Sequence, residues 1–185
     1  MAKAYVMMCC DVGSESEVIS SLKKIKGIRD AHGTLGLYDI VAQIESPSEE
    51  EIQKTVTGVI RKMPKIHTTM TLTRSESGEL FEASEKFIGS MLGQNSAKAY
   101  VVMYCEKGQE YSTLKNLSHI PEVKEADVVF GYYDVICKVE TQDEKTLDHV
   151  ITKAIRTLPN IRTSMTLNVI QEQEKHLVND TAKTT

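Results

Sequence analysis

The segment Ala4–Cys10 is apolar on both of its alternating faces: Tyr5, Met7 and Cys9 fall on one side, Val6, Met8 and Cys10 on the other. Its Val, Met and Tyr content predicts a strand buried on two sides. Gly13 breaks it. Ser14 and Glu17 then form the S-x-x-E pattern of a capping box, and Val18, Leu22 and Ile25 recur at helical spacing, which predicts an amphipathic helix. Ile28 to Leu35 is extended again, and Gly36-Leu37-Tyr38-Asp39 reads as a tight turn into a strand over Ile40 to Glu45. There Ile40, Ala42 and Ile44 share one face and Val41, Gln43 and Glu45 the other. Pro47, Ser48 and Glu51 signal a second helix start; Ile52, Val56, Val59, Ile60 and Met63 form its apolar stripe, and Pro64 closes it. Ile66 to Thr73 alternates once more, with Ile66, Thr68, Met70 and Leu72 opposite His67, Thr69, Thr71 and Thr73.

The same succession is written a second time. Ala2 to Ser75 can be laid on Ala97 to Ile170 without a gap, Tyr5 falling on Tyr100, so that GLYDIVAQIE meets GYYDVICKVE and RKMPKIHTTMTL meets RTLPNIRTSMTL. The repeat is long enough to be a small domain by itself. Strand, helix, strand, strand, helix, strand is the ferredoxin-like order, an antiparallel four-stranded sheet with both helices on one face. The fold class is therefore α+β, two ferredoxin-like βαββαβ domains at residues 1–75 and 97–171. Residues 76–96 read as an amphipathic connector helix, carrying Leu80, Phe81, Phe87, Ile88, Met91 and Leu92, and 172–185 as a polar tail. Each sheet would keep one face free of helices, and that face is too apolar for water. The two sheets are expected to pack face to face, within the chain or between chains.

Composition narrows the class. With 41% hydrophobic and 26% charged residues over 185 positions the chain is an ordinary globular one. A net charge of −4 argues against direct nucleic-acid binding, which rests on clustered Lys and Arg. No stretch approaches a membrane span, and the N-terminal apolar run is short for a signal peptide. Cys9, Cys10, Cys105 and Cys137 lack C-x-x-C spacing and read as free thiols of a cytoplasmic protein.

Comparing the two copies filters the chemistry. Gly36, Tyr38 and Asp39 recur as Gly131, Tyr133 and Asp134; Thr69 and Thr71 recur as Ser164 and Thr166; Arg61 and Pro64 recur as Arg156 and Pro159. A Gly-x-Tyr-Asp turn has a structural reading, with Gly supplying an unusual backbone angle, Asp capping the turn and Tyr packing its ring. Its functional reading is a tip that offers a carboxylate, a phenol and backbone groups to a small zwitterion. No histidine recurs: His32 and His67 align with Asp127 and Arg162, and His119 and His149 with Lys24 and Lys54. A metal or acid/base site built twice is thereby disfavoured. No phosphate loop, G-x-S-x-G or H-E-x-x-H is present, so no catalytic residue, metal ligand or cofactor is assigned.

With these motifs in order, the chain resembles the effector-binding (RAM) domain of the Lrp/AsnC transcription regulators, most clearly through IPEVKEADVVFGYYDVICKVE and LPNIRTSMTLNVI. Two departures stand out. The helix-turn-helix domain usual in that family is not seen ahead of the first strand, and Lys65 and Asn160 replace the usual Gly after the proline. The resemblance implies sheet-to-sheet pairing, homo-oligomeric rings and an amino-acid effector bound between neighbours. By motif position the implied ligand-binding residues are Gly36, Tyr38, Asp39, Thr69, Thr71, Gly131, Tyr133, Asp134, Ser164 and Thr166. It implies a stand-alone sensing module acting through oligomerisation or through full-length Lrp/AsnC regulators, without binding DNA itself. Two other classes stay open: a ferredoxin-like barrel enzyme using His32 or His67, and a metal-binding assembly using Cys9, Cys10, Cys105 and methionines.

Overall fold

In the computed structural model, the described residues, 1–75 and 96–171, form twelve regular elements and two short helical extensions. The first repeat contains β1 (Ala2–Cys10), α1 (Glu15–Leu22), β2 (Ile28–Leu35), β3 (Ile40–Ser46), α2 (Glu49–Gly58) and β4 (Ile66–Arg74). The second contains β5 (Ala97–Cys105), α3 (Glu110–Ser118), β6 (Val123–Phe130), β7 (Val135–Thr141), α4 (Glu144–His149) and β8 (Ile161–Val169). A 3₁₀ turn at Ile60–Lys62 follows α2, and a π-helical stretch at Val150–Ile155 extends α4. The predicted connector helix, Ser96 excepted, and the polar tail lie outside the described residues.

Each repeat makes an antiparallel sheet, ordered β4-β1-β3-β2 and β8-β5-β7-β6, and the two sheets join into one closed eight-stranded barrel. The seams are short. At one, Thr34 and Leu35 of β2 pair with Val169 and Asn168 of β8; at the other, Thr73 and Arg74 of β4 pair with Phe130 and Val129 of β6. The helices cover the outside. Val6, Met8, Ala42 and Ile44 pack outward against Val18, Leu22, Ile52 and Val56, and Val101, Met103, Cys137 and Val139 pack the same way in the second repeat.

The helix-free faces meet in the barrel interior, so the partner of each sheet is the other sheet of the same chain. Tyr5, Met7, Val41, Leu72, Tyr100, Val102, Ile136 and Leu167 form this third core. Burying such side chains contributes about 1.5–3 kcal/mol each, which accounts for closure across seams with so few backbone pairs.

Three local details depart from, or explain, the sequence pattern. Ser14 occupies the N-cap of α1, but its hydroxyl donates to the Asp11 carbonyl at 2.6 Å and makes no cap bond, whereas Ser48 of α2 does accept from the Glu51 amide at 3.3 Å. Along β4 the alternation is broken by a register shift: Cys9 pairs with Thr68 but Cys10 with Ile66, which turns Ile66 outward to the helices while Met70 and Leu72 stay inside. Lys65 and Asn160 have φ of 75° and 70°, the left-handed conformation that makes Gly the usual residue there.

Candidate functional site

The two hairpin tips lie across the seams. Gly36 has φ of 147°, and a Cβ on it would fall 2.7 Å from Leu167 Cδ2 and 3.2 Å from the Thr166 carbonyl oxygen. Gly131, with φ of 144°, stands in the same way 2.8 Å from Leu72 Cδ2 and 2.9 Å from the Thr71 carbonyl oxygen. Each glycine thus permits a close approach between repeats, and the structure unites Gly36 with Thr166 and Gly131 with Thr71, residues far apart in the chain.

The other tip residues turn away from that contact. Asp39 Oδ2 accepts the Cys10 amide at 2.9 Å, and Asp134 Oδ2 accepts the Cys105 amide at 2.9 Å, so each carboxylate holds its hairpin to the bulged end of β1 or β5. Tyr38 and Tyr133 point their rings into the interior core, with hydroxyls donating weakly to Met70 Sδ and Met165 Sδ at 3.7 and 3.8 Å. Tyr133 also packs against Tyr104 and Tyr132, ring centroids 4.8 and 5.4 Å away.

Outside the barrel, α2 and β4 flank a groove of about 550 Å³ lined by Glu50, Gln53, Lys54, Arg61, Thr71 and Thr73 over a floor of Ile52 and Val56. Arg61 Nε donates to Thr69 Oγ1 at 3.0 Å, leaving its terminal guanidinium nitrogens for other acceptors. The Thr71 hydroxyl is buried and has no hydrogen-bond partner among the described residues. In the second repeat Arg156 reaches Thr166 Oγ1 at 3.4 Å, while Lys145 and His149 take the positions of Glu50 and Lys54. Ser164 lies partly buried on β8. Of the predicted residues, the groove therefore takes Thr71, with Thr69 holding its arginine; Tyr38, Asp39, Tyr133 and Asp134 lie elsewhere. The sequence does not single out the groove's helical residues, because exposed Glu, Gln and Lys look like any solvated face; the recurrence of Arg61 as Arg156 is the one signal at this position.

The barrel interior carries charge that the strand patterns do not announce. Lys3 is buried and contacts Glu125 and Asp127, the latter at 2.7 Å; Tyr5 donates to Asp127 Oδ2 at 2.6 Å, Arg74 Nε reaches Asp127 Oδ1 at 3.2 Å, and Gln43 donates to Glu125 at 3.3 Å. Across the barrel Lys138 donates to Asp30 Oδ2 at 3.0 Å. His32 Nε2 is 2.7 Å from the same carboxylate. Every one of these contacts except His32–Asp30 joins one repeat to the other.

Burial penalises the charged form of Asp30, but His32 and Lys138 outweigh it and hold the carboxyl below the usual carboxylate range. A depressed folded-state value contributes stability that is full above the unfolded value, about 4, and lost as the pH falls through the folded one. Asp30→Asn is expected to flatten the acid side of the stability–pH curve, which urea denaturation at a series of pH values measures.

Among the described residues no group of three or more His, Cys, Asp or Glu could hold a metal ion, and no helix is long and apolar enough to cross a membrane. Burial pushes the Cys137 thiol up to about 12, which leaves it an inert core group. His67 is on the surface, 2.5 Å from Asp11.

Comparison with known proteins bears on both repeats. Residues 98–177 match the family described as the Lrp/AsnC ligand binding domain. The regulatory protein AsnC of Escherichia coli K12 is 28% identical over 96 residues, 51% of this chain and 60% of AsnC, so the chain spans less than two thirds of that relative's length. Over the whole barrel, the fold is similar to the siroheme decarboxylase NirDL, with a TM-score of 0.64 at 9% identity over 90% of this chain and 70% of that one. It is also similar to an anthrone oxidase-like protein, with a TM-score of 0.56 at 11% identity over 91% of both chains. At such identities these two likenesses concern fold alone.

Proposed function

We propose, from the premise that residues 98–177 belong to the Lrp/AsnC ligand binding domain family and that the first repeat shares their fold, that this chain is a regulatory module sensing a small molecule. Its ligand site is the α2–β4 groove of the first repeat. The observation that carries this reading is the Thr71 hydroxyl, buried without a partner in a groove that also presents Arg61, Lys54 and Glu50. An unmet buried hydroxyl costs about 1–3 kcal/mol unless something completes it. Cations beside it favour a carboxylate, and Glu50 at the rim favours an ammonium, which together describe an amino acid. A ligand there also touches the contact of β4 with the Gly131 hairpin, so occupancy is coupled to how the repeats meet and thereby to assembly with further copies or partner regulators. With a net charge of −4 the module acts through such partners and not through DNA.

Calorimetric titration of the purified chain with each common amino acid tests this. Heat is expected for at least one, with Thr71→Val and Arg61→Ala each weakening it about tenfold or more, the loss expected for a hydrogen bond to a charged group. Absence of heat and of thermal shift for all of them removes the reading.

A further inference from the structure

The two halves of the barrel interior differ in one informative place. Tyr5 and Tyr100 are equivalent by repeat, their rings 6.4 Å apart, and both are essentially fully buried. Tyr5 donates a hydrogen bond from its hydroxyl to the Asp127 carboxylate, which also gathers Lys3 and Arg74. The residue aligned with Asp127 is His32, and among the described residues the Tyr100 hydroxyl has no hydrogen-bond partner, carboxylate or other. Beside the Tyr100 ring stand His32, ring centroids 6.5 Å apart, and Lys138, whose ammonium is 5.7 Å from the Tyr100 centroid; both lie against Asp30, whose carboxylate, with that of Glu125, also acts on the phenol. Asp30, His32 and Lys138 keep 29, 20 and 17% of their side chains exposed, so the cluster runs from solvent down to a phenol that is 1% exposed.

We propose that the barrel interior beside Tyr100 is a second ligand site, which takes a small organic acid whose carboxylate fills the place that Asp127 occupies beside Tyr5. Tyr100 donates to that carboxylate, and Lys138 and His32 flank it as Lys3 and Arg74 flank Asp127. This site is separate from the α2–β4 groove and does not depend on it.

The test uses the full chain at neutral pH with sodium formate and sodium acetate as probes and sodium chloride at matched ionic strength as reference. A melting temperature raised by formate or acetate beyond the chloride effect is expected, lost in Tyr100→Phe and kept in Thr71→Val and Arg61→Ala. In protein labelled at tyrosine Cζ, carbon NMR should show one buried tyrosine signal moving with formate; this reads the site in the unaltered chain should Tyr100→Phe fold poorly. Equal shifts in chloride and formate, an unchanged response in Tyr100→Phe, or a still tyrosine signal overturns the proposal. Loss of amino-acid binding in the groove variants with the formate response intact separates the two sites.

Discussion

Gly131→Val is expected to open the β4–β6 seam and to lower the stability of the whole barrel by about 2–6 kcal/mol, seen as a large fall in the urea midpoint. Two costs combine. A β-branched residue at φ of 144° is strained by about 1–3 kcal/mol. The added Cβ also falls 2.9 Å from a backbone oxygen that cannot swing away, and such overpacking costs about 1–3 kcal/mol. Gly36→Val should behave alike at the β2–β8 seam, where the Leu167 side chain can yield but the Thr166 carbonyl at 3.2 Å cannot. Gly58 is the control. It ends α2, and a Cβ added there would meet nothing within 4 Å, so Gly58→Ala should be neutral or stabilise by up to about 1 kcal/mol. A Gly131→Val protein as stable as the parent would show that the tip does not determine closure.

Much of this fold is legible because its signals are local. The alternation of Tyr5, Met7 and Val6, Met8 shows a strand with two apolar faces, and that demands a second layer which the duplicated chain supplies. The Gly-x-Tyr-Asp turn is legible as a turn, yet its residues part company: Gly131 meets Thr71, Tyr133 enters the core and Asp134 secures an amide of β5. Their proximity along the chain suggested one site, but adjacent residues on an extended chain face opposite ways. The bulge that turns Ile66 outward depends on pairing with Cys10, and no period in β4 records it. The interior charges were the least visible. Lys3 looks like a polar start to an apolar strand, and only the offset between the two sheets brings it to Asp127, in the other repeat.

That placement makes Asp127 the position where a single charge change should cost most. Asp127→Ala leaves the buried Lys3 with Glu125 as its remaining carboxylate, removes an acceptor from Arg74, and leaves the Tyr5 hydroxyl without its acceptor. Breaking one side of a buried ion pair costs up to about 3–5 kcal/mol, and here Glu125 still compensates Lys3 while the Tyr5 hydroxyl and Arg74 lose their shared acceptor. The expected result is a fall in urea midpoint comparable with that of Gly131→Val, against a small effect for an exposed pair such as Arg29–Glu45. Tyr5→Phe in the Asp127→Ala background should restore part of the loss, since it removes an orphaned hydroxyl, and the double-mutant cycle isolates their coupling. The same cluster determines which halves can pair. Asp127 aligns with His32, and Arg74 with Val169, so two first repeats would set Lys3 and Tyr5 against His32, and two second repeats would lack the arginine. Asp127→His, which writes the first repeat's residue into the second, should therefore destabilise the barrel as Asp127→Ala does; full stability in that variant would mean that the drifted charges play no part in joining one repeat to the other.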